Sequence, residues 1–205
     1  LDASLSLNTM QYQWESFFSN SELGEKKFKH QWLPNLAVTY KINPSFTVRA
    51  KVEKSSSSQK KEEVRSYNLA IQNQLLSEYG WNKELGIRKR VGSVFLELTA
   101  FDFNLKDAIV KRQDHNGNDY FINAGGTSQT GLEFTIESKK YRFINSYFDS
   151  FNFLITGNVY DFKYNDYSVD ANNYSGNRLP GISNFSTQVF LNVGFLKRFN
   201  INYTN

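Results

Sequence analysis

Apolar and polar residues alternate with a period of two over most of the chain, which places them on opposite faces of extended strands. Leu36, Val38, Tyr40 and Ile42 alternate with Asn35, Ala37, Thr39 and Lys41, and Phe46, Val48, Ala50 and Val52 with Thr47, Arg49, Lys51 and Glu53. Trp81, Leu85 and Ile87 oppose Glu84, Gly86 and Arg88, with Lys83 the exception on the apolar side. Thr130, Leu132, Phe134 and Ile136 oppose Gly131, Glu133, Thr135 and Glu137. Phe153, Ile155 and Val159 oppose Asn152, Thr156 and Asn158, while Val189, Leu191, Val193 and Phe195 oppose Gln188, Asn192 and Gly194. With residues 3–17, 93–110 and 199–205 added, the pattern predicts about nine strands, some longer than ten residues.

The connections alternate in length. Short turns fall at 43–45, 90–93, 142–150 and 197–199, and long polar segments at 18–34, 54–78, 111–128 and 164–184. A soluble sandwich usually has short loops at both ends, whereas here every long loop would collect at one end. Outer-membrane barrels have that asymmetry, with short periplasmic turns, long extracellular loops and a polar lumen. The expectation is therefore an all-β, antiparallel up-and-down meander forming part of a larger transmembrane β-barrel, its apolar faces against lipid. The alternative is a soluble β-sandwich that shuts the same residues into a dry interior. Within the second long segment, Val64, Tyr67, Ile71 and Leu75 fall near helical spacing, so a loop helix over Lys60–Leu76 and an irregular loop both fit. The polar, low-complexity run from Lys54 to Lys61 predicts a mobile stretch.

Composition narrows the function classes. Aromatics make up 16% of the 205 residues, against one Met and three Pro, at a mean hydropathy of -0.55. That mixture favours β structure with a polar face over a helical bundle, and no apolar run approaches the roughly 18 residues of a spanning helix. The absence of cysteine removes disulfides, thiolate nucleophiles and sulfur metal ligands together. A net charge of +4 is spread along the chain without a dense basic stripe, so nucleic acid is not an expected partner. The start Leu1-Asp2-Ala3-Ser4 carries no leader pattern, so any export signal is expected upstream or already removed.

The search for chemistry returns few candidates. His30 and His115 lie in separate long loops with no spaced partner for a metal site. Asp114-His115-Asn116-Gly117-Asn118-Asp119 has oxygen ligands at every second residue, but a calcium loop needs Gly at its sixth place and Glu at its twelfth, where Asp119 and Gly125 stand. Asn116-Gly117 reads instead as a tight hairpin turn. Glu84, Glu97, Glu133 and Glu137 share polar faces, as paired acid–base carboxylates would, and also as charges balanced by Arg49, Arg88 and Lys139 would. Three Asn-x-Ser/Thr triplets fit a chain rich in those residues. The expectation is a protein that is not an enzyme and holds no cofactor or metal.

Several motifs carry a family resemblance. The segment Glu78-Tyr-Gly-Trp-Asn-Lys-Glu-Leu-Gly-Ile-Arg-Lys89, then Val94-Phe-Leu-Glu-Leu-Thr-Ala-Phe101 and Leu105-Lys-Asp-Ala-Ile-Val110, resembles the β-barrel of TonB-dependent outer-membrane receptors. Asn123-Ala-Gly125, Thr127-Ser-Gln, Gly131-Leu-Glu133, Arg178-Leu-Pro-Gly181 and Leu33-Pro-Asn-Leu36 resemble further elements of that family, in order over about 150 residues. Ser77 departs from it, standing where the family often has Pro. The resemblance implies a bacterial outer-membrane location and active import of a scarce nutrient, most often a ferric siderophore. It also implies contact with outer-membrane lipid and with the inner-membrane TonB complex through a plug domain. Such receptors resemble 22-stranded barrels, so residues 1–205 are expected to be a partial barrel lacking the plug and the final strands, with open edges able to self-associate. Planar and cationic loop residues suit an anionic iron chelate, which makes Trp32, Arg65, Tyr67, His115, Tyr120, Tyr174 and Arg178 the candidate ligand contacts. A passive outer-membrane channel and a carbohydrate-binding sandwich are the competing functions.

Overall fold

The computed structural model describes residues 1–16, 22–60, 63, 75–143, 147–169 and 172–205. Its strands are β1 (Asp2–Asn8), β2 (Gln11–Ser16), β3 (Glu22–Lys27), β4 (Gln31–Asn43), β5 (Phe46–Ser57), β6 (Glu78–Val91), β7 (Val94–Lys106) and β8 (Ile109–Gln113). They continue as β9 (Asp119–Asn123), β10 (Gly126–Ser138), β11 (Tyr141–Arg142), β12 (Phe148–Asn165), β13 (Ser168–Val169), β14 (Asn172–Asn173), β15 (Phe185–Phe195) and β16 (Phe199–Thr204). One antiparallel sheet runs β1-β4-β5-β6-β7-β10-β12-β15-β16, with β11 appended to β12. Three hairpins stand apart from it: β2–β3, β8–β9 and β13–β14. The sheet is an open wall, with β1 and β16 as its edges, and the barrel is not closed within these residues.

The register aligns side chains into rows that cross the wall. Tyr40, Val48, Ile87, Leu98, Phe134 and Gly157 lie side by side on six consecutive strands, and Val38, Ala50, Leu85, Ala100, Leu132 and Val159 form the next row. Alternation puts both rows on one face. No second layer covers them: Leu85 is 57% exposed, and Leu75 is the one buried hydrophobic side chain among the described residues. The accessible surface is 14367 Å², against roughly 9,900 Å² for a folded water-soluble monomer of this mass. A sandwich core would bury Leu132, yet it is 37% exposed. The sandwich expectation is thereby overturned, because the chain has one sheet and no partner face.

One row further toward the long loops, the pattern inverts. Lys83, Asp102, Thr130 and Asp161 occupy the same face in register, followed by Trp81, Asn104, Ser128 and Lys163. In these strands the apolar phase moves to the opposite face, to Phe101, Phe103, Tyr160 and Phe162. On β12 the outward apolar stretch from Phe151 to Val159 rises roughly 27 Å along the strand. A strand tilt near 40° turns that into about 20 Å, close to the apolar band of a transmembrane barrel.

The structure adjusts several sequence-based boundaries. The single strand expected over 3–17 is two strands within residues 2–16, since β2 leaves the wall to pair with β3. The segment 18–34 contains β3 and the start of β4 rather than loop alone, and β8–β9 occupies most of 111–128. The short turn expected at 142–150 falls earlier, in the connection 139–147 between β10 and β12 that holds β11, and residues 148–150 belong to β12. The Lys54–Lys61 run is ordered at its start, because β5 continues through Ser57 opposite Glu78. Of the proposed loop helix, Val64, Tyr67 and Ile71 lie outside the described residues. At the short-turn end, Gly92 has φ +59° between β6 and β7, where a residue with a Cβ is strained.

Charge placed on the outward apolar rows is expected to be costly. Leu98→Arg in the protein folded in lipid should destabilise the sheet by about 2–4 kcal/mol. The inward neighbour Thr99→Arg should cost under about 1 kcal/mol. Urea titration of the folded protein in lipid vesicles, read by the heat-dependent gel shift, measures both.

Candidate functional site

The inner face of the wall carries a concavity of about 580 Å³, lined among others by Arg49, Glu84, Phe101, Phe103, Tyr160 and Phe162. Beneath two of its lining rings lies Gly131 on β10, in register between Phe101 of β7 and Tyr160 of β12. Both rings lean over it: a Cβ there would lie 2.6 Å from each. The absent side chain lets the rings approach edge-on at 5.8 Å, while Tyr160 and Phe162 stack at 4.8 Å and 20°. The Tyr160 hydroxyl donates to Glu133 Oε1 at 2.7 Å, which fixes the ring above the glycine.

Charges around this aromatic floor are individually answered. Arg49 meets Glu84 at 3.3 Å, Arg88 meets Glu97 at 2.9 Å and Lys51 meets Glu53 at 2.7 Å. Asn82 Nδ2 donates to Glu84 at 2.6 Å and to Glu53 at 3.3 Å. The charge-balance reading thus describes Glu84 and Glu97, while Glu133 is held by Tyr160 and Lys139 stands away in the β10–β12 turn. A wall of paired ions and stacked rings can dock a polar surface or a planar group.

A second cluster lies among the long loops. Tyr164, at the end of β12, stacks on Tyr167 at 4.4 Å and 18°, and Tyr174 approaches Tyr167 at 6.1 Å. From the neighbouring hairpin, the Arg112 guanidinium lies 5.3 Å from the Tyr167 ring centroid, and its Nη2 donates to the Ser168 carbonyl at 3.0 Å. Arg112 Nε is buried with no acceptor among the described residues. One tyrosine array and one guanidinium therefore join the loops that follow β7 and β12.

The sequence-derived candidates scatter around this cluster. Tyr174 belongs to it, and Tyr120 is the cross-strand partner of Arg112. His115 sits at the exposed tip of the β8–β9 hairpin. There Asp114 Oδ1 accepts from the backbone of Asn116 and Asn118 at 2.8 and 2.9 Å, so the turn spans more than Asn116-Gly117. Hydrogen bonding from Lys111 Nζ, then from Gln113, holds the Asp119 carboxyl below its ordinary pKa in the same hairpin. Arg178 pairs with Asp161, Nε to Oδ1 at 4.0 Å, on the outward side of the wall. Trp32 is not a loop residue: it lies in β4 beside Leu7 of β1, in phase with Leu36 and Val38, and is 57% exposed. Arg65 and Tyr67 lie outside the described residues. Arg112, Tyr164, Tyr167 and the inner-wall aromatics were not among the candidates. The signal for them was the run Tyr160, Phe162, Tyr164, which keeps period two in the phase opposite to Ile155 and Val159.

The sequence profile of a family described as TonB dependent receptor-like, beta-barrel matches residues 2–205. The chain belongs to this TonB-dependent receptor family. Solved structures agree at the level of fold. The ferric yersiniabactin uptake receptor of Yersinia pestis matches with TM-score 0.59 and 23% identity over 93% of this chain and 27% of its own. The siderophore receptor PirA of Pseudomonas aeruginosa matches with TM-score 0.60 and 18% identity, covering 98% and 39%. The FrpB iron transporter of Neisseria meningitidis matches with TM-score 0.63 and 14% identity, covering 99% and 30%. The chain thus spans well under half the length of each of these proteins, and likeness at such identities speaks to fold rather than ligand. No curated protein sequence matches the chain.

In this receptor wall, Gly131→Val should force the Phe101 and Tyr160 rings apart, at a cost of about 1–3 kcal/mol. Tyr160→Phe, which removes only the hydrogen bond to Glu133, should cost about 1 kcal/mol. Urea unfolding of the two variants of the intact receptor in detergent gives the ranking.

Proposed function

We propose that this segment supplies nine strands of the wall of an outer-membrane receptor that imports a scarce nutrient at the expense of the TonB complex. A ferric siderophore is the favoured cargo. The plug and the remaining barrel strands would come from the rest of the receptor. The observation that carries this reading is the uncovered apolar face of a sheet whose other face is ionic and aromatic. Such a wall needs lipid on one side and a wet, occupied lumen on the other. Family membership adds the transport class, and its members are receptors and transporters rather than enzymes. Short turns would then face the periplasm and long loops the cell exterior.

Cargo chemistry follows from the loop cluster. An anionic iron chelate with planar groups would lie against Tyr164, Tyr167 and Tyr174 and draw its charge complement from Arg112. Tyr120 and His115, on the same hairpin as Arg112, would border it.

Arg112→Ala and Tyr167→Ala in the intact receptor should each weaken binding of a ferric siderophore by up to about tenfold, with the heat-dependent gel shift unchanged. Fluorescence titration provides the affinities, and uptake of labelled iron tests energy coupling. Uptake that survives collapse of the proton motive force would instead identify a passive channel.

A further inference from the structure

The two ends of the wall differ in how their charges are matched. At the long-loop boundary, three outward cations have a carboxylate: Lys83 meets Asp102 at 3.6 Å, and Asp161 is shared by Lys163 at 2.5 Å and Arg178 at 4.0 Å, while Lys54 lies 4.9 Å from the Tyr79 ring centroid and Lys106 makes no ion pair among the described residues. At the short-turn end the balance is lost. Lys89, Lys139, Lys140, Arg142, Lys197 and Arg198 are all exposed, and none makes an ion pair among the described residues. They come from the ends of three separate turns, β6–β7, β10–β12 and β15–β16, which the sheet order spreads along one rim. The carboxylates at that end are Glu97, already paired with Arg88, and Glu137 and Asp149.

Aromatic side chains accompany this rim. The Lys89 ammonium, in the outward phase with Leu85 and Ile87, sits 5.8 Å from the Phe46 ring centroid. Phe199 stacks on Phe195 at 5.4 Å in the outward phase, and Tyr147 is 81% exposed in the β10–β12 turn. Rings with one apolar and one wet side, next to unmatched cations and directly below an apolar band, have the composition of a membrane interface.

We propose that the short-turn rim is a binding surface for anionic phospholipid headgroups, with the basic turn residues meeting the phosphates and the aromatic residues seated at the headgroup level. Charge complementarity selects this occupant, because basic residues beside an anionic bilayer surface each gain from the surface potential. The inference rests on the membrane-spanning reading given under Proposed function. It adds that this leaflet is sampled by charge.

The test reconstitutes the intact receptor in phosphatidylcholine vesicles carrying spin-labelled phosphatidylglycerol or spin-labelled phosphatidylcholine as the probe. The wild-type receptor should immobilise phosphatidylglycerol at least about threefold more than phosphatidylcholine at low salt, and the preference should collapse toward unity in 1 M salt. Replacing all six basic residues by Gln should abolish it while the heat-dependent gel shift and siderophore affinity stay unchanged. Should six substitutions impair folding, Lys139→Gln, Lys140→Gln and Lys197→Gln together should roughly halve it. Equal immobilisation of the two lipids by a receptor that shows the gel shift would overturn the proposal alone, as would a preference that survives the sixfold substitution. A receptor that shows no gel shift in vesicles would overturn the membrane reading together with it.

Discussion

Everything in this wall depends on one constraint: a broad antiparallel sheet has an apolar face, and no other part of the described chain covers it. In water those rows of Leu, Val, Ile and Phe would present a continuous patch far larger than soluble monomers tolerate. Lipid removes the conflict, because hydrocarbon solvates the apolar face while the cross-strand ladders satisfy the backbone. Along the two margins of the wall, β1 and β16 and the stretches of β4 and β15 that extend past them keep unpaired backbone groups, an exposure that pairing with further strands would remove.

The inversion of phase follows from the same constraint. Above the row of Ala100, Leu132 and Val159, the outward environment changes from hydrocarbon to headgroups and water. Lys83, Asp102 and Asp161 therefore turn outward, where they ion-pair. The aromatic residues turn inward at the same height, and this is what builds the Phe101–Tyr160–Phe162 floor over Gly131. Continuing upward, the same inward phase leads through Tyr164 to the tyrosine array and Arg112. The membrane boundary and the candidate binding surfaces are thus two aspects of one change in side-chain phase.

Much of the wall was legible in the sequence, because period two survives wherever one face is lipid and the other is wet. The nine main strands, their antiparallel order and the alternation of short and long connections all follow from it. The strand ends were harder to read. Ladder hydrogen bonds continue after the apolar residues stop, so β5 runs through Ser57 and β12 reaches Asn165. Trp32 looked like a loop residue because Gln31 and Asn35 are polar, whereas pairing with β1 makes it part of the outward face. The hairpins β2–β3, β8–β9 and β13–β14 have too few alternating residues to announce themselves. Arg112 and Tyr167 meet only because two loops far apart in sequence fold against each other, a proximity that no local pattern encodes.

Residues 1–205 hold no cysteine, so single cysteines can be placed along β10 from Ser128 to Ile136 in the intact receptor, with any cysteine elsewhere replaced by Ser, and labelled in vesicles by membrane-confined and water-soluble thiol reagents. Positions 132, 134 and 136 should react with the membrane-confined reagent, positions 133 and 135 with the aqueous one, and the outward positions 128 and 130 should switch to aqueous labelling. Protection of 132, 134 and 136 from both reagents, as in a dry protein core, would contradict the lipid-facing wall.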